Sequence, residues 1–344
     1  MKTVFVLFAL LAAVQVCSAD VIVVPTDYPT IQKAINVAQP GDEVHVGWDT
    51  YYENIVIDKA IWLVGDGGWR RPTIDGSGGL YVINIASQGV TVTGFIIRNA
   101  FCGVDCAISD TIKDNEFLQN TRGICLDGSS NYIQRNMLSY NDVGIFLGGG
   151  SSGNVINSNS IEMCDYGIVI EPYAVSNSIT ENTISFASVY GLHVMPEATD
   201  NQIFHNDFLS NGESAIDEGD NTWDDGYPSG GNYWLGYTGE DGDDDGIGDV
   251  PYSIPGGDNS DPYPLMIRHN HRCGDADYSW QVDIDDVVYL IAYIFTGGDA
   301  LYPGACIGDA DGSGGTDIDD VVYVLFYIFT NGAAPTADCC NPPW

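Results

Sequence analysis

The chain has 344 residues, with 48 Asp and Glu against 11 Lys and Arg, a formal net charge of −37, and 44% hydrophobic residues. So acidic a surface repels nucleic acid and anionic membranes and suits cations, while the length allows a large core plus a second module. Beyond Arg135 only Arg268 and Arg272 are formally cationic, so anionic polymers such as pectate or alginate are repelled too unless calcium bridges them.

The N-terminus reads Met1-Lys2, an apolar run from Thr3 to Val16, then Cys17-Ser18-Ala19 before Asp20. A short apolar run closed by small residues is a secretory signal peptide, here residues 1–19, too short for a membrane span. The protein is therefore expected to be secreted, with no transmembrane segment and with disulfides permitted. Ile31, Ala34, Ile35 and Ala38 then share one face of a short helix that Pro40-Gly41-Asp42 ends. Such a helix can cap an open apolar core. Strands are expected to follow at 43–46, 52–57, 61–64, 81–85 and 90–97.

From about residue 89 to 220 the chain repeats. Asn115, Asn136, Asn159, Asn182 and Asn206 recur at steps of 21, 23, 23 and 24, and Asn131, Asn154, Asn177 and Asn201 at 23, 23 and 24. A third series is Gly103-Val104, Gly123-Ile124, Gly144-Ile145, Gly167-Ile168 and Gly191-Leu192. Short alternating apolar runs between these marks say strand, and a fixed period of this length says solenoid. Residues one period apart then stack at ~4.8 Å, the strand spacing. The asparagines read as ladders, bonding each other and the turns, and Asn tolerates the left-handed corners. Ile133, Ile145, Leu147, Ile156, Ile168, Ile170, Ile179, Leu192, Val194 and Ile203 should be buried in stacks. Cys102, Cys106 and Cys125 lie close on the repeat, near enough for one bridge among them, and Cys164 is left unpaired.

The stretches YPTIQKAINVAQPGDEVHV and YYENIVIDKAIWLVGDG, with the Asn-marked coils, resemble the pectin-lyase-like right-handed β-helices, in particular the NosD-type (periplasmic copper-binding) repeat family. Residues 231–266, GNYWLGYTGEDGDDDGIGDVPYSIPGGDNSDPYPLM, are similar to that family's ending. The resemblance implies a mainly β fold, a right-handed parallel β-helix over residues 20–268. Its copper label would require clustered His, Cys or Met. His45, His193 and His205 are scattered in sequence, and His269-Asn270-His271 falls at a linker, residues 269–272. The opening segment also resembles pectin methylesterases, but their Gln-Asp-Thr and Asp-Phe stretches have no match. The Asp/Asp-Asp/His/Arg set of polygalacturonases is absent, and no Lys or Arg beyond Arg135 in the coils could serve a lyase as base.

Counting from each Gly-Ile mark, with Ala215-Ile216 taken as the last, one outward column reads Asp105, Cys125, Phe146, Val169, His193, Asp217. The next reads Asp127, Gly148, Glu171, Met195, Gly219. Glu171, His193 and Asp217 thus fall on consecutive coils of one face, the candidate catalytic group. A His between two carboxylates could act as a general base with its pKa raised. The competing reading is an exposed His with incidental acidic neighbours. Tyr166 and Tyr190, one coil apart, would form a sugar-binding platform if they point outward and would be core if inward. Asp241, Asp243, Asp245 and Asp249 with Gly246 have calcium-loop spacing, but the closing position falls on Tyr252. This is a candidate third calcium site; the alternative is a solvated acidic turn.

Asp275–Asp286 (DADYSWQVDIDD) and Asp309–Asp320 (DADGSGGTDIDD) carry the same spaced acids 34 residues apart. Oxygen-bearing side chains fall at positions 1, 3, 5, 9 and 12, with a backbone carbonyl at 7, the spacing of an EF-hand calcium loop. The ligands are Asp275, Asp277, Ser279, Gln281, Asp283 and Asp286 in one loop, and Asp309, Asp311, Ser313, Gly315, Asp317 and Asp320 in the other. An apolar helical run follows each, VVYLIAYIF at 287–295 and VVYVLFYIF at 321–329. Cys273, Cys306, Cys339 and Cys340 surround the loops as two staples of undetermined connectivity. Residues 273–344 resemble a type I dockerin, a small α-helical module whose partner is a cohesin. Two departures stand out: Trp280 at loop position 6, where Gly is expected, and Ile284-Asp285 and Ile318-Asp319 where Ser-Thr type pairs usually touch the cohesin. The expected protein is a secreted binder of carbohydrate or surface polymer, attached through a calcium-dependent module. The alternatives are a polysaccharide lyase or glycoside hydrolase acting on the same face, and a structural matrix component.

Overall fold

The computed structural model describes residues 19–66, 70–243, 245–266, 268, 273–276, 282–298, 301, 305–330 and 332–335. The chain winds into a right-handed parallel β-helix whose coils each offer three strands, one to each of three faces. The first face is a ten-stranded parallel sheet from Val21–Val24 to Asp220–Thr222. The second and third faces form one 15-stranded sheet, because Thr73–Ile85 and Ile96–Cys106 run unbroken around the corner between them.

Alternation makes the faces. On the first, Val44, Leu63, Val92, Ile112, Ile133, Ile156, Ile179 and Ile203 form one inward column in continuous parallel register. All are fully buried, each worth about 1.5–3 kcal/mol of transfer free energy. Every residue of the expected buried stacks is at 0% exposure.

The corners need a left-handed residue; Gly89, Gly94 and Gly153 supply it at some, and most others take it without glycine. Asp114, Arg135, Ser158, Glu181 and His205 all have φ between 50° and 56°, each just before a ladder asparagine. Such conformations cost about 1 kcal/mol or more for an L-residue. The ladders hold them there. Asn159 Oδ1 accepts from both the backbone N–H and Nδ2 of Asn136, while its own Nδ2 donates to Ile133 and Asn157 carbonyls. This ladder continues through Asn206 to Asn232, and the second runs from Asp110 through Asn131 to Asn221. A third begins with Asn120 and Asn141 at the corner between the second and third faces. Cys164 takes its next position, with Sγ facing the Leu138 and Glu162 carbonyls.

Both ends are plugged. The helix Ile31–Val37, capped by Thr30, buries Ile31, Ala34 and Ile35 at one end, with Ala38 just beyond it also buried. The strand expected at 52–57 is divided into Thr50–Tyr52 and Ile55–Ile57 by a bend at Glu53-Asn54, where the Asn54 amide bonds the Gly76 and Tyr81 carbonyls. The strand expected at 90–97 is likewise interrupted, between Thr91–Thr93 and Ile96, at Gly94 with φ 85°. At the other end Phe208, Trp234 and Tyr252 stack, with ring centroids 4.5 and 4.2 Å apart. Trp223 and Trp234 are buried, and their indole N–H groups donate to Asp217 and Asp261.

A second apolar cluster joins Ala276, Val287, Leu290, Leu301, Ile307, Ala310, Val321 and Val324. It lies around the helices Ile284–Thr296 and Ile318–Thr330, which pack on each other. Asp283 caps the first helix in a capping box with Asp286, and Gly297 ends it at φ 66°. No helix among the described residues is long and apolar enough to cross a membrane.

Candidate functional site

The third face carries the candidate polymer-binding surface. Each of its central strands places one outward side chain before the glycine mark and another two residues after it. Tyr166 pairs in register with Tyr190, and Val169 with His193. Ile168, Leu192 and Val194 beside them are fully buried, so His193 faces outward. The tyrosine rings lie on the same side: Tyr166 and Tyr190 are 6.2 and 5.1 Å from the His193 ring, and 6.0 Å from each other. The three form an aromatic patch spanning two coils, each ring only partly exposed and the His193 side chain 17% so. Toward the N-terminal end the outer layer continues with Phe146 and Phe101, and the Arg122 guanidinium lies 3.4 and 5.2 Å from their ring centres. The disulfide Cys102–Cys125 ties adjacent coils on this face, while Cys106 and Cys164 are free and buried.

The structure does not bring Asp217 to His193. His193 pairs with Ile216, and Asp217 falls in line with Val194 on the inward side. It is fully buried, accepting from Gly219 N, Asn221 Nδ2 and Trp223 Nε1. The last coil is shifted by one residue from the expected count, because Ser214-Ala215, not Ala215-Ile216, aligns with Gly191-Leu192. That slip turns a surface carboxylate into an anchor of the terminal plug. Glu218 takes the outward place, with a carboxylate oxygen 3.6 Å from His193 Nε2. Glu171 follows Ile170 out of its strand, and its backbone N–H bonds the Leu147 carbonyl.

The arrangement sought at His193, a histidine between two carboxylates, occurs at His45. Its Nε2 is 2.8 Å from Glu43 and its Nδ1 3.3 Å from Asp66 on the next coil. Burial of the ring opposes protonation, but the two carboxylates outweigh it and raise the pKa. The signal was present in Glu43-Val44-His45, a same-face pair. Asp66 lay a coil away and outside the regular marks.

Among the described residues two acidic groups converge closely enough to hold a metal ion, Asp241 with Asp243 and Asp245, and Asp309 with Asp311 and Asp320. In the first, Asp241 accepts from the N–H groups of Asp245 and Gly246, and Asp249 from Gly242. Gly246 has φ 87°, the left-handed turn a calcium loop requires at that place. In the second, Asp309 accepts from Ser313 and Gly314, and Asp320 from Asp311 and Asp317. Burial raises the Asp320 pKa, partly offset by those backbone bonds, and the charges of Asp311 and Asp309 add to the rise. Gly314 has φ 96°. In the other loop Asp286 accepts from the Asp283 N–H, as Asp320 does from Asp317. Asp275 and Asp286 are buried, whereas Asp277, Ser279, Trp280 and Gln281 lie outside the described residues. Cys273 and Cys306 are disulfide-bonded. Residues 1–18, His269, His271, Arg272, Cys339 and Cys340 also lie outside the described residues.

Residues 69–239 match the family described as periplasmic copper-binding protein (NosD). The match spans most of the coils and stops short of the C-terminal helices. No curated protein sequence matches the chain. Among solved structures the chain is similar to an alginate lyase from Paenibacillus sp. str. FPU-7, with 16% identity, a TM-score of 0.44, and coverage of 59% of this chain and 86% of that one. Nothing about activity follows from a likeness at that level.

The copper label can be tested on donor chemistry. Copper favours clustered imidazole, thiolate and thioether groups. Here His45 is on the first face, His193 on the third and His205 at a corner, and the free thiols of Cys106 and Cys164 are in the core. The groups that converge among the described residues are carboxylates, which suit a hard cation. The residues described do not fit copper.

Proposed function

We propose that this is an exported protein whose β-helix binds carbohydrate or a surface polymer through its third face, and whose C-terminal helical module attaches it to a scaffold or cell surface when loaded with calcium. The observation that carries the reading is the outward patch of Tyr166, Tyr190 and His193. Aromatic rings set side by side on successive coils, Tyr166 and Tyr190 tilted at 45° to each other, suit the apolar faces of sugar rings, with the tyrosine hydroxyls and the imidazole available for hydrogen bonds.

Attachment is supported by the duplicated helices. Ile284, Val288, Ile291 and Phe295 on one, and Ile318, Val322, Phe326 and Phe329 on the other, are exposed apolar residues at helical spacing. Stripes of this kind on an otherwise acidic chain mark interaction surfaces. A cohesin-like protein is the partner that the dockerin resemblance implies. Calcium is the proposed cation for Asp275–Asp286 and Asp309–Asp320, and for Asp241, Asp243, Asp245 and Asp249.

The test is retention of the purified protein on immobilised neutral and acidic polysaccharides, assayed in parallel for release of reducing or unsaturated ends. Retention without turnover, reduced in Tyr190→Ala, is expected. Turnover would favour the polysaccharide lyase or glycoside hydrolase reading, with His193 and Glu218 as the first residues to substitute. Neither retention nor turnover would leave the structural matrix role.

A further inference from the structure

Where the second face turns into the third, the coils leave an open groove of about 620 Å³ that the patch around His193 does not use. One wall is made by Asn99, Gln119 and Tyr140, the left-handed corner residues of successive coils, with φ of 61°, 55° and 55°. Phe101, Thr121 and Asp142, two residues later in each coil, line the other side. Ladder bonds from Asn120 to Asn141 fix the floor. Because equivalent residues recur at ~4.8 Å from coil to coil, the groove runs parallel to the helix axis.

Its chemistry is specific. Phe101 is 43% and Tyr140 61% exposed, large aromatic surfaces left in water at the rim. Beside them stand the amides of Asn99 and Gln119, the hydroxyls of Ser77 and Thr121 and the Asp142 carboxylate, groups that give and take hydrogen bonds with vicinal hydroxyls. No Lys or Arg lines the groove, Asp142 does, and the whole chain carries −37. Arg122 braces Phe101 from the third face without lining the groove. An anionic chain would meet like charge here, whereas a neutral one would meet only hydrogen-bonding groups and aromatic faces.

We infer that this corner groove binds an uncharged polysaccharide chain laid along the helix axis, with Phe101 and Tyr140 as stacking platforms and Asn99, Gln119 and Asp142 as hydroxyl partners. The inference rests on the carbohydrate-binding reading above and deepens it by naming the charge class of the ligand and a second strip of contact.

Calorimetric titration of the full chain, at one fixed calcium concentration, with oligosaccharides of xyloglucan, mixed-linkage glucan and galactomannan, and with those of polygalacturonate and alginate, tests it. Tyr140→Asn is the informative variant, since Asn accepts the left-handed corner that Ala would strain. At least one neutral ligand is expected to bind, and Tyr140→Asn and Phe101→Ser should each weaken it about tenfold. Tyr173→Asn, an exposed tyrosine at φ 67° on another corner, should leave it unchanged. Neutral binding that survives Tyr140→Asn and Phe101→Ser, or binding of the acidic oligosaccharides alone, overturns the groove. If binding is then lost in Tyr190→Ala, the third-face reading stands without it. If no oligosaccharide of either class binds, both fail.

Discussion

His193 Nε2 lies 3.6 Å from a Glu218 carboxylate oxygen on the outer surface of the third face, while Asp217, one residue earlier, points the other way and holds the Trp223 indole N–H at 2.8 Å. Two adjacent acids thus have opposite duties. Asp217→Ala would leave the Trp223, Asn221 and Gly219 donors without their acceptor in a buried plug, at a cost of about 3 kcal/mol. Glu218→Gln, at a partly exposed site, should stay within about 0.5 kcal/mol of the parent. Urea unfolding followed by tryptophan fluorescence separates the two. Equal destabilisation would show that the last coil is not in this register.

The asparagine ladders invite a substitution in each direction. Asn159→Ala strips an acceptor from two Asn136 donors and should cost about 3 kcal/mol. Cys164→Asn should do the reverse, because Sγ already faces the Leu138 and Glu162 carbonyls in the place a ladder amide would occupy. A gain of about 1 kcal/mol is expected there, read from the shift in urea midpoint at unchanged slope.

Acid should first stabilise this protein and then destabilise it. Burial, with the charge of Asp127, lifts Asp105 to about 6, and burial lifts Asp110 and Asp261 to about 6 as well. A folded pKa above the unfolded value of about 3.9 means stability that is full below that value and lost as pH rises through 6. Asp42 has the opposite sign: the Gln39 and Asp20 N–H groups hold its pKa below the ordinary value, so its contribution is lost as pH falls below about 4. Asp75 is lowered too, since bonds from Ser77, Asn99 and Arg98 outweigh its burial. Thermal unfolding should therefore be latest between about pH 4 and 6. Asp105→Asn should raise Tm at pH 7.5 and leave it unchanged at pH 4; a gain at both would refute the assignment.

The two EF-hand-like loops should bind calcium unequally. Gly314 sits at φ 96°, a conformation that costs about 1–2 kcal/mol for a residue with a side chain. The equivalent position in the other loop is Trp280. If that loop makes the same turn, its affinity should be about five to thirty times weaker. Calorimetry on the full chain should show Asp309→Ala losing the tighter step and Trp280→Gly tightening the weaker one. Equal steps in the parent would end the strain argument.

The coil period, the inward columns and the convergence of Asp309, Asp311 and Asp320 were legible in the sequence because each depends on short-range rules. Alternation fixes which side a residue takes within a strand, a recurring Asn marks a corner whose backbone must be bonded, and a duplicated motif declares itself by its spacing. Ile133, Ile156 and Ile179 needed nothing further to be placed. Four things did. Where the Gly-Ile mark gives way to Ser214-Ala215, the register is set by contacts with a distant segment, among them the bond from Asp217 N to the Pro255 carbonyl. Alternation alone cannot choose there, since a slip of one residue exchanges inside for outside. His45 meets Asp66, and Asn120 joins Asn141, only once a full turn has been wound. The corner groove likewise exists only because left-handed residues of successive coils line up along the axis, bringing Asn99, Gln119 and Tyr140 together over separations that no local pattern records.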